Sequence, residues 1–150
     1  MKKKRILLLL FSLLSMGRSM AETPLSREGY VGNISFDFTP QLGLRADITS
    51  SHGYSFGNGL WVGGGVGVSL SGEHDGTLVP IYAEAKYSLL LGERVSPYLA
   101  CRVGYITDFE EISMLLAPAA GIDINRFSIF IQYNRWAGIR TLNMGAAFNF

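Results

Sequence analysis

From Glu28 onward, apolar and polar residues alternate almost one by one, and Gly, Pro, Asn or Asp interrupts the alternation about every ten residues. A two-residue period is the signature of strands with unlike faces. It predicts eight of them, near 29–38, 41–56, 60–70, 79–91, 95–107, 112–124, 127–135 and 140–150. No stretch carries useful helical periodicity, and no linker or low-complexity tract divides the row. An even number of short-looped antiparallel strands predicts an all-β fold, an eight-stranded antiparallel up-and-down barrel, because closure removes the exposed edges.

The connections support hairpin pairing. Asn125-Arg126 suits a two-residue turn, and Gly57-Asn58-Gly59 a three-residue loop with glycine at a positive φ. Gly92-Glu93-Arg94 is expected to do the same between the fourth and fifth strands. Looser connections are expected at 71–78, 108–111 and 136–139, so tight and loose connections alternate, with 38–41 the exception.

The two faces differ sharply. Ile34, Phe36 and Phe38 oppose Asn33, Ser35 and Asp37, and Ala46 and Ile48 oppose Arg45, Asp47 and Thr49. Ile81, Ala83, Ala85 and Tyr87 oppose Tyr82, Glu84, Lys86 and Ser88, while Leu99, Cys101 and Val103 oppose Ala100, Arg102 and Gly104. Ala120 and Ile122 oppose Gly121 and Asp123. In the seventh strand Phe130 is the apolar exception on the polar face. A barrel in lipid is apolar outside and polar within, and a soluble ligand-carrying barrel is the reverse. The polar faces here are Gly, Ala, Ser and Asn with few charges. That composition suits a confined eight-stranded lumen better than a water-facing exterior, which is dense in Lys and Glu. The expectation is therefore a transmembrane barrel. Aromatics at strand ends of the apolar face, such as Tyr30, Tyr54, Tyr87, Tyr105, Phe127 and Phe148, agree with an interfacial girdle.

Within the third strand, Gly63, Gly64, Gly65 and Gly67 resemble a phosphate loop only at first sight. Val68 stands where the third glycine of G-x-G-x-x-G would be, and no helix follows. Gly63, Gly65 and Gly67 are expected to line the lumen and leave room for larger inward groups such as Glu84, Lys86 and Arg102.

The N-terminus changes the picture of where the chain goes. Lys2, Lys3, Lys4 and Arg5 precede an apolar stretch from Ile6 to Met16, and Ser19-Met20-Ala21 offers a small-residue cleavage site. The apolar stretch is short of the roughly 20 residues that span a bilayer. Residues 1–21 read as a cleavable signal peptide and 22–150 as the barrel domain. Removing the five basic residues up to Arg18 leaves eight Lys and Arg against 12 Asp and Glu, a formal charge of −4. With no basic patch, nucleic acid is not an expected partner. Cys101 is the single cysteine, so neither an internal disulfide nor a cysteine metal site is expected.

The last strand, LNMGAAFNF, alternates to a terminal aromatic. With the signal peptide and eight alternating strands, it resembles the small eight-stranded outer-membrane barrels of Gram-negative bacteria. The stretch HGYSFGNGLWVGGGVGV at 52–68 is similar to that of uncharacterised barrels of the same broad class. The resemblance implies an outer-membrane location, contact with membrane lipids and lipopolysaccharide, and a monomer. It also implies that Phe148 and Phe150 serve as the signal read by the barrel-assembly machinery. The termini and tight turns would face the periplasm, and the looser connections the exterior.

Candidate chemistry is sparse. Barrels of this size that modify lipid A need a histidine close to a serine, with a carboxylate to orient the imidazole. His52 is followed by Gly-Tyr-Ser, which departs from the His-x-Ser-Asn pattern of the deacylases. His74 lies in GEHDG between Glu73 and Asp75, where adjacent side chains point apart. No catalytic residues, metal site or cofactor is expected. Glu73, His74, Asp75, Asp108, Glu110 and Glu111 read as hydrophilic surface loops, with divalent-cation binding as the sharper alternative. Asp37, Arg45, Asp47, Glu84, Lys86, Arg102 and Asp123 face inward, where charges must be paired. A paired network plugs the lumen; an ion pathway is the alternative. The function expected is non-enzymatic, envelope structure or surface interaction. A lipid A-modifying enzyme and a soluble periplasmic barrel for an apolar ligand are the rivals.

Overall fold

The computed structural model describes residues 24–40, 45–71, 77–91 and 94–150. A short 3-10 turn, Pro24–Ser26, precedes eight strands: β1 Glu28–Thr39, β2 Arg45–Phe56, β3 Leu60–Ser71, β4 Thr77–Ser88, β5 Val95–Thr107, β6 Ile112–Ile124, β7 Phe127–Trp136 and β8 Ile139–Asn149. Each pairs antiparallel with its neighbours, and β1 pairs with β8 to close the barrel. The expected signal peptide and the residues Leu42 to Leu44 lie outside the described residues.

Parity along each strand sets direction, because successive side chains leave opposite faces. The apolar faces point out. Ile81, Leu99 and Met144 are 57%, 68% and 55% exposed. The polar faces point in, and Ser35, Asp37, Asp47, Glu84, Lys86, Arg102, Asp123 and Asn143 are all buried. This inverts the soluble arrangement, in which large exposed apolar surface is kept small.

Two connections depart from expectation. Trp136 pairs with Ile139, so the segment at 136–139 is a two-residue turn rather than a loose loop. Ala137 and Gly138 both take positive φ, +47° and +78°, the mirror-image turn whose twist matches that of the strands. In contrast, β4 stops at Ser88, not at 91. Leu89 N–H then donates to Pro97 O at 2.8 Å, and Gly92 and Glu93 of the expected turn lie outside the described residues. The run Leu89-Leu90-Leu91 breaks the alternation, which is why the strand does not continue through it. At 57–59, both glycines do hold positive φ, +73° and +88°.

Several inward glycines sit against rings. Tyr82 is flanked across its two ladders by Gly65 and Gly104, and Phe130 by Gly121 and Gly145. An ideal Cβ at Gly63 would stand 2.7 Å from the Trp61 ring, and one at Gly121 would stand 2.6 Å from that of Tyr98. At Gly63 and Gly65 the clearance expected for Glu84, Lys86 and Arg102 is taken by the Trp61 and Tyr82 rings, and at Gly67 by Thr49. A ring on a strand leans over its cross-strand neighbour, and a missing side chain there makes the space.

Candidate functional site

The lumen is the one place where charged side chains converge among the described residues, and β2, β4, β5 and β6 deliver them in three tiers. Near the end that carries both termini, Lys86 Nζ donates to Asp123 Oδ1 at 2.7 Å. Asp123 also accepts from Ser128 at 2.5 Å and Ser88 at 3.1 Å, so its lone pairs are well occupied. In the middle, Arg102 Nε donates to Glu84 Oε2 at 3.0 Å, and Ser51 Oγ to the same oxygen at 3.1 Å. Toward the opposite end, Arg45 Nε donates to Asp47 Oδ1 at 2.9 Å and its Nη2 to Ser69 Oγ at 2.7 Å.

Each cation also lies over a ring. Lys86 Nζ is 3.8 Å from the Tyr98 centroid, Arg102 is 4.8 Å from Tyr82, and Arg45 is 5.2 Å from Trp136. Burial makes both contacts count, since cation–π attraction reaches about 2 kcal/mol when desolvated. Asp37 and Asp47 face each other across the β1–β2 ladder. Asn143 Nδ2 stands between them, 3.3 Å from Asp37 and 3.4 Å from Asp47, and its Oδ1 accepts from Thr39 at 2.7 Å.

Between the described residues little space remains. Two cavities of about 20 Å³ each flank the middle tier, and Arg102 and Gln132 line both. Each has room for a water molecule. Asn33 Oδ1 beside the first and Gln132 Oε1 beside both are buried acceptors with no protein partner, so each is a place for such a water. At the mouth near the termini, Leu25 of the 3-10 turn packs with Val31 and Trp61 as an apolar stopper. Trp61 Nε1 donates to Val31 O at 3.1 Å.

The other residues singled out in the sequence do not join this cluster. Glu73, His74 and Asp75 lie outside the described residues. Asp108, Glu110 and Glu111 form an exposed turn in which Asp108 Oδ1 accepts from the N–H of Glu111 at 2.7 Å and of Glu110 at 3.0 Å. Those two donors hold the Asp108 carboxyl below its ordinary range. Phe150 closes the seam: its N–H and C=O exchange bonds with Gly32 at 2.8 and 2.9 Å. Phe148 packs on Phe127, ring centroids 5.3 Å apart. His52 and Ser55 leave opposite faces of β2, and Ser55 is buried against Leu25 O. Among the described residues no group of three His, Cys, Asp or Glu side chains could hold a metal ion.

Sequence reading overlooked Trp61, Tyr98, Ile106 and Leu115, all inward and buried. Their parity was the available signal, and the assumption of a polar lumen hid it.

No family model matches the chain. No curated protein matches it either. Solved structures do resemble it. The N-terminal β-barrel domain of Pseudomonas aeruginosa OprF aligns with a TM-score of 0.55 at 13% identity, covering 83% of this chain and all of that one. The Yersinia pestis outer membrane protein Ail aligns with a TM-score of 0.52 at 18% identity, over 83% of this chain and all of that one. A de novo designed transmembrane β-barrel aligns with a TM-score of 0.55 at 15% identity, over 87% of this chain and all of that one. The fold is that of the outer-membrane-type β-barrels, eight antiparallel strands closed on themselves.

Proposed function

We propose that this protein is an integral outer-membrane barrel of a Gram-negative bacterium, exported through a cleaved signal peptide, with a lumen closed by side chains. Its role is non-enzymatic, and its partners are membrane lipids, lipopolysaccharide and, during biogenesis, the barrel-assembly machinery. It acts as a monomer. One observation carries the reading: large apolar side chains from all eight strands face outward while three ion pairs fill the inside. In water, that outer wall would sacrifice roughly 25 cal/mol for each Å² of apolar surface. In lipid it costs nothing, and closure of the sheet pairs the strands around the whole ring, as hydrocarbon demands.

Envelope structure is favoured over surface recognition by the shortness of the connections opposite the termini. The turn at 137–138 has two residues and the turn at 108–111 has four, which leaves little to present. Fractionation tests the location: the protein should sediment with outer membranes and resist a high-salt wash, and release without detergent would refute it. Planar-bilayer recording tests the closed lumen, which predicts no stable conductance steps.

A further inference from the structure

Among the described residues, a polar seam interrupts the apolar outer wall on β1 and β2. His52 points outward from β2, and both ring nitrogens are engaged: Tyr30 Oη lies 2.5 Å from Nδ1 and Ser50 Oγ lies 2.9 Å from Nε2. Tyr30 stacks on the imidazole, with centroids 6.0 Å apart, and Phe150 meets its edge at 6.1 Å. Tyr54, opposite Tyr30 in the β1–β2 register, donates to Glu28 Oε1 at 2.8 Å.

The protons of this chain do not balance internally. Tyr30, a neutral imidazole and Ser50 carry three, and the two hydrogen bonds use two. Whichever tautomer holds, one O–H, that of Ser50 or of Tyr30, is left to find an acceptor outside the three side chains. Hydrocarbon offers none, so the acceptor is interfacial water or a headgroup oxygen at this level of the wall. The level is interfacial, because Tyr30, Tyr54, Phe127 and Phe148 are exposed aromatics at the same end of the barrel. The order along the wall matters too. Ser50 is deepest, His52 and Tyr30 follow, and Glu28, the first residue of β1, is outermost.

We propose that this seam holds the headgroup of a phospholipid bearing a primary ammonium. The spare O–H donates to a phosphate oxygen, and the Glu28 carboxylate meets the ammonium beyond it. A glycerophospholipid presents those groups in that same order, from acyl chains outward. The inference rests on the membrane-spanning reading above.

The test uses the protein purified from membranes and placed in nanodiscs of equimolar phosphatidylethanolamine and phosphatidylglycerol, with retained lipid weighed by native mass spectrometry. The unmodified protein should retain phosphatidylethanolamine about threefold to fivefold over phosphatidylglycerol, the size of one exposed charge contact. Tyr30→Phe, His52→Leu and Ser50→Ala together remove every donor of the seam and should lose the retained lipid, and Glu28→Gln should keep it without the preference. Glu28 lies at the exposed strand end, so that variant tests the site even if the triple variant does not fold. Equal retention of both lipids, or retention unmoved by these substitutions, overturns the site. So does release of lysolipid dependent on Ser50, which would make the seam a nucleophile instead. Failure to enter nanodiscs at all overturns the membrane reading itself.

Discussion

The ring of Tyr82 fills the space that a side chain at Gly65 would need: an ideal Cβ there would stand 2.6 Å from the ring Cζ. The obstacle is side chain only, Tyr82 together with Ser51 Oγ at 2.7 Å. Gly104, on the other flank of Tyr82, differs, because a Cβ there would press on backbone, Ile81 O and Tyr82 Cα. Gly65→Val should therefore destabilise the barrel by about 1–3 kcal/mol, the usual cost of overpacking. In a Tyr82→Ala background the same change should be close to neutral, whereas Gly104→Val should remain costly. Urea unfolding in detergent micelles, read as a double-mutant cycle, measures the difference. Equal coupling at both glycines would show that the ring is not what the residue 65 position accommodates.

Breaking the ion pair nearest the termini gives an asymmetric result. Lys86→Met removes the cation but leaves Asp123 with Ser88 and Ser128 as donors. Asp123→Leu strands an ammonium buried at 6% exposure, with the Tyr98 face beside it and a Glu84 carboxylate already held by Arg102. Stranding one partner of a buried pair costs about 3–5 kcal/mol. The Asp123→Leu variant should sit at the upper end of that range and Lys86→Met below it. The double variant should recover part of the loss, because neither charge is then left alone. Unfolding midpoints of the three variants decide the ranking.

How much of this was legible beforehand follows from what parity encodes. Side-chain direction on a strand depends on odd or even position alone, so the strands and the inward direction of Glu84, Lys86 and Arg102 could be read residue by residue. Partner identity depends on register between strands, which no local pattern carries. That Lys86 meets Asp123 across β4, β5 and β6, while Arg45 meets Asp47 on its own strand, emerges only from the closed sheet. Trp61 and Tyr98 were missed because an apolar ring at a lumen position contradicts a polar-lumen rule; the flanking small residues were the clue. His52 was weighed with the serine after it, at odd spacing, although the serine two positions before it shares its face.

Acid should loosen one exposed turn before the barrel itself. The Asp108 carboxylate is held below its ordinary value by the N–H groups of Glu111 and then Glu110. A carboxyl whose folded value is depressed stabilises the folded turn above its unfolded value of about 4, and that contribution fades as pH falls through the lower folded value. Amide exchange at Glu110 and Glu111 should therefore show protection that is steady at neutral pH and shrinks below about pH 4, after correction for intrinsic exchange. Asp108→Asn keeps an acceptor oxygen and should lose the pH dependence. Asp108→Ala should leave both amides unprotected at every pH, and protection that survives in it would remove Asp108 from the turn.

Closure of the barrel depends on Phe150 in two separable ways. Phe150 exchanges two backbone bonds with Gly32, and its ring covers the site where a Gly32 Cβ would come within 2.6 Å. Deleting Phe150 leaves the Gly32 N–H and C=O without their partners, at about 1–3 kcal/mol for each buried group. Phe150→Leu keeps the backbone bonds and removes only the ring. If the ring is the feature the assembly machinery reads, Phe150→Leu should lower the folded fraction recovered from cells while refolding in detergent proceeds as for the unmodified chain. The deletion should fall short in both settings. Heat-modifiable migration on gels, comparing cell membranes with in vitro refolding, separates the two. Normal yields of Phe150→Leu in cells would assign the terminal residue to the seam alone.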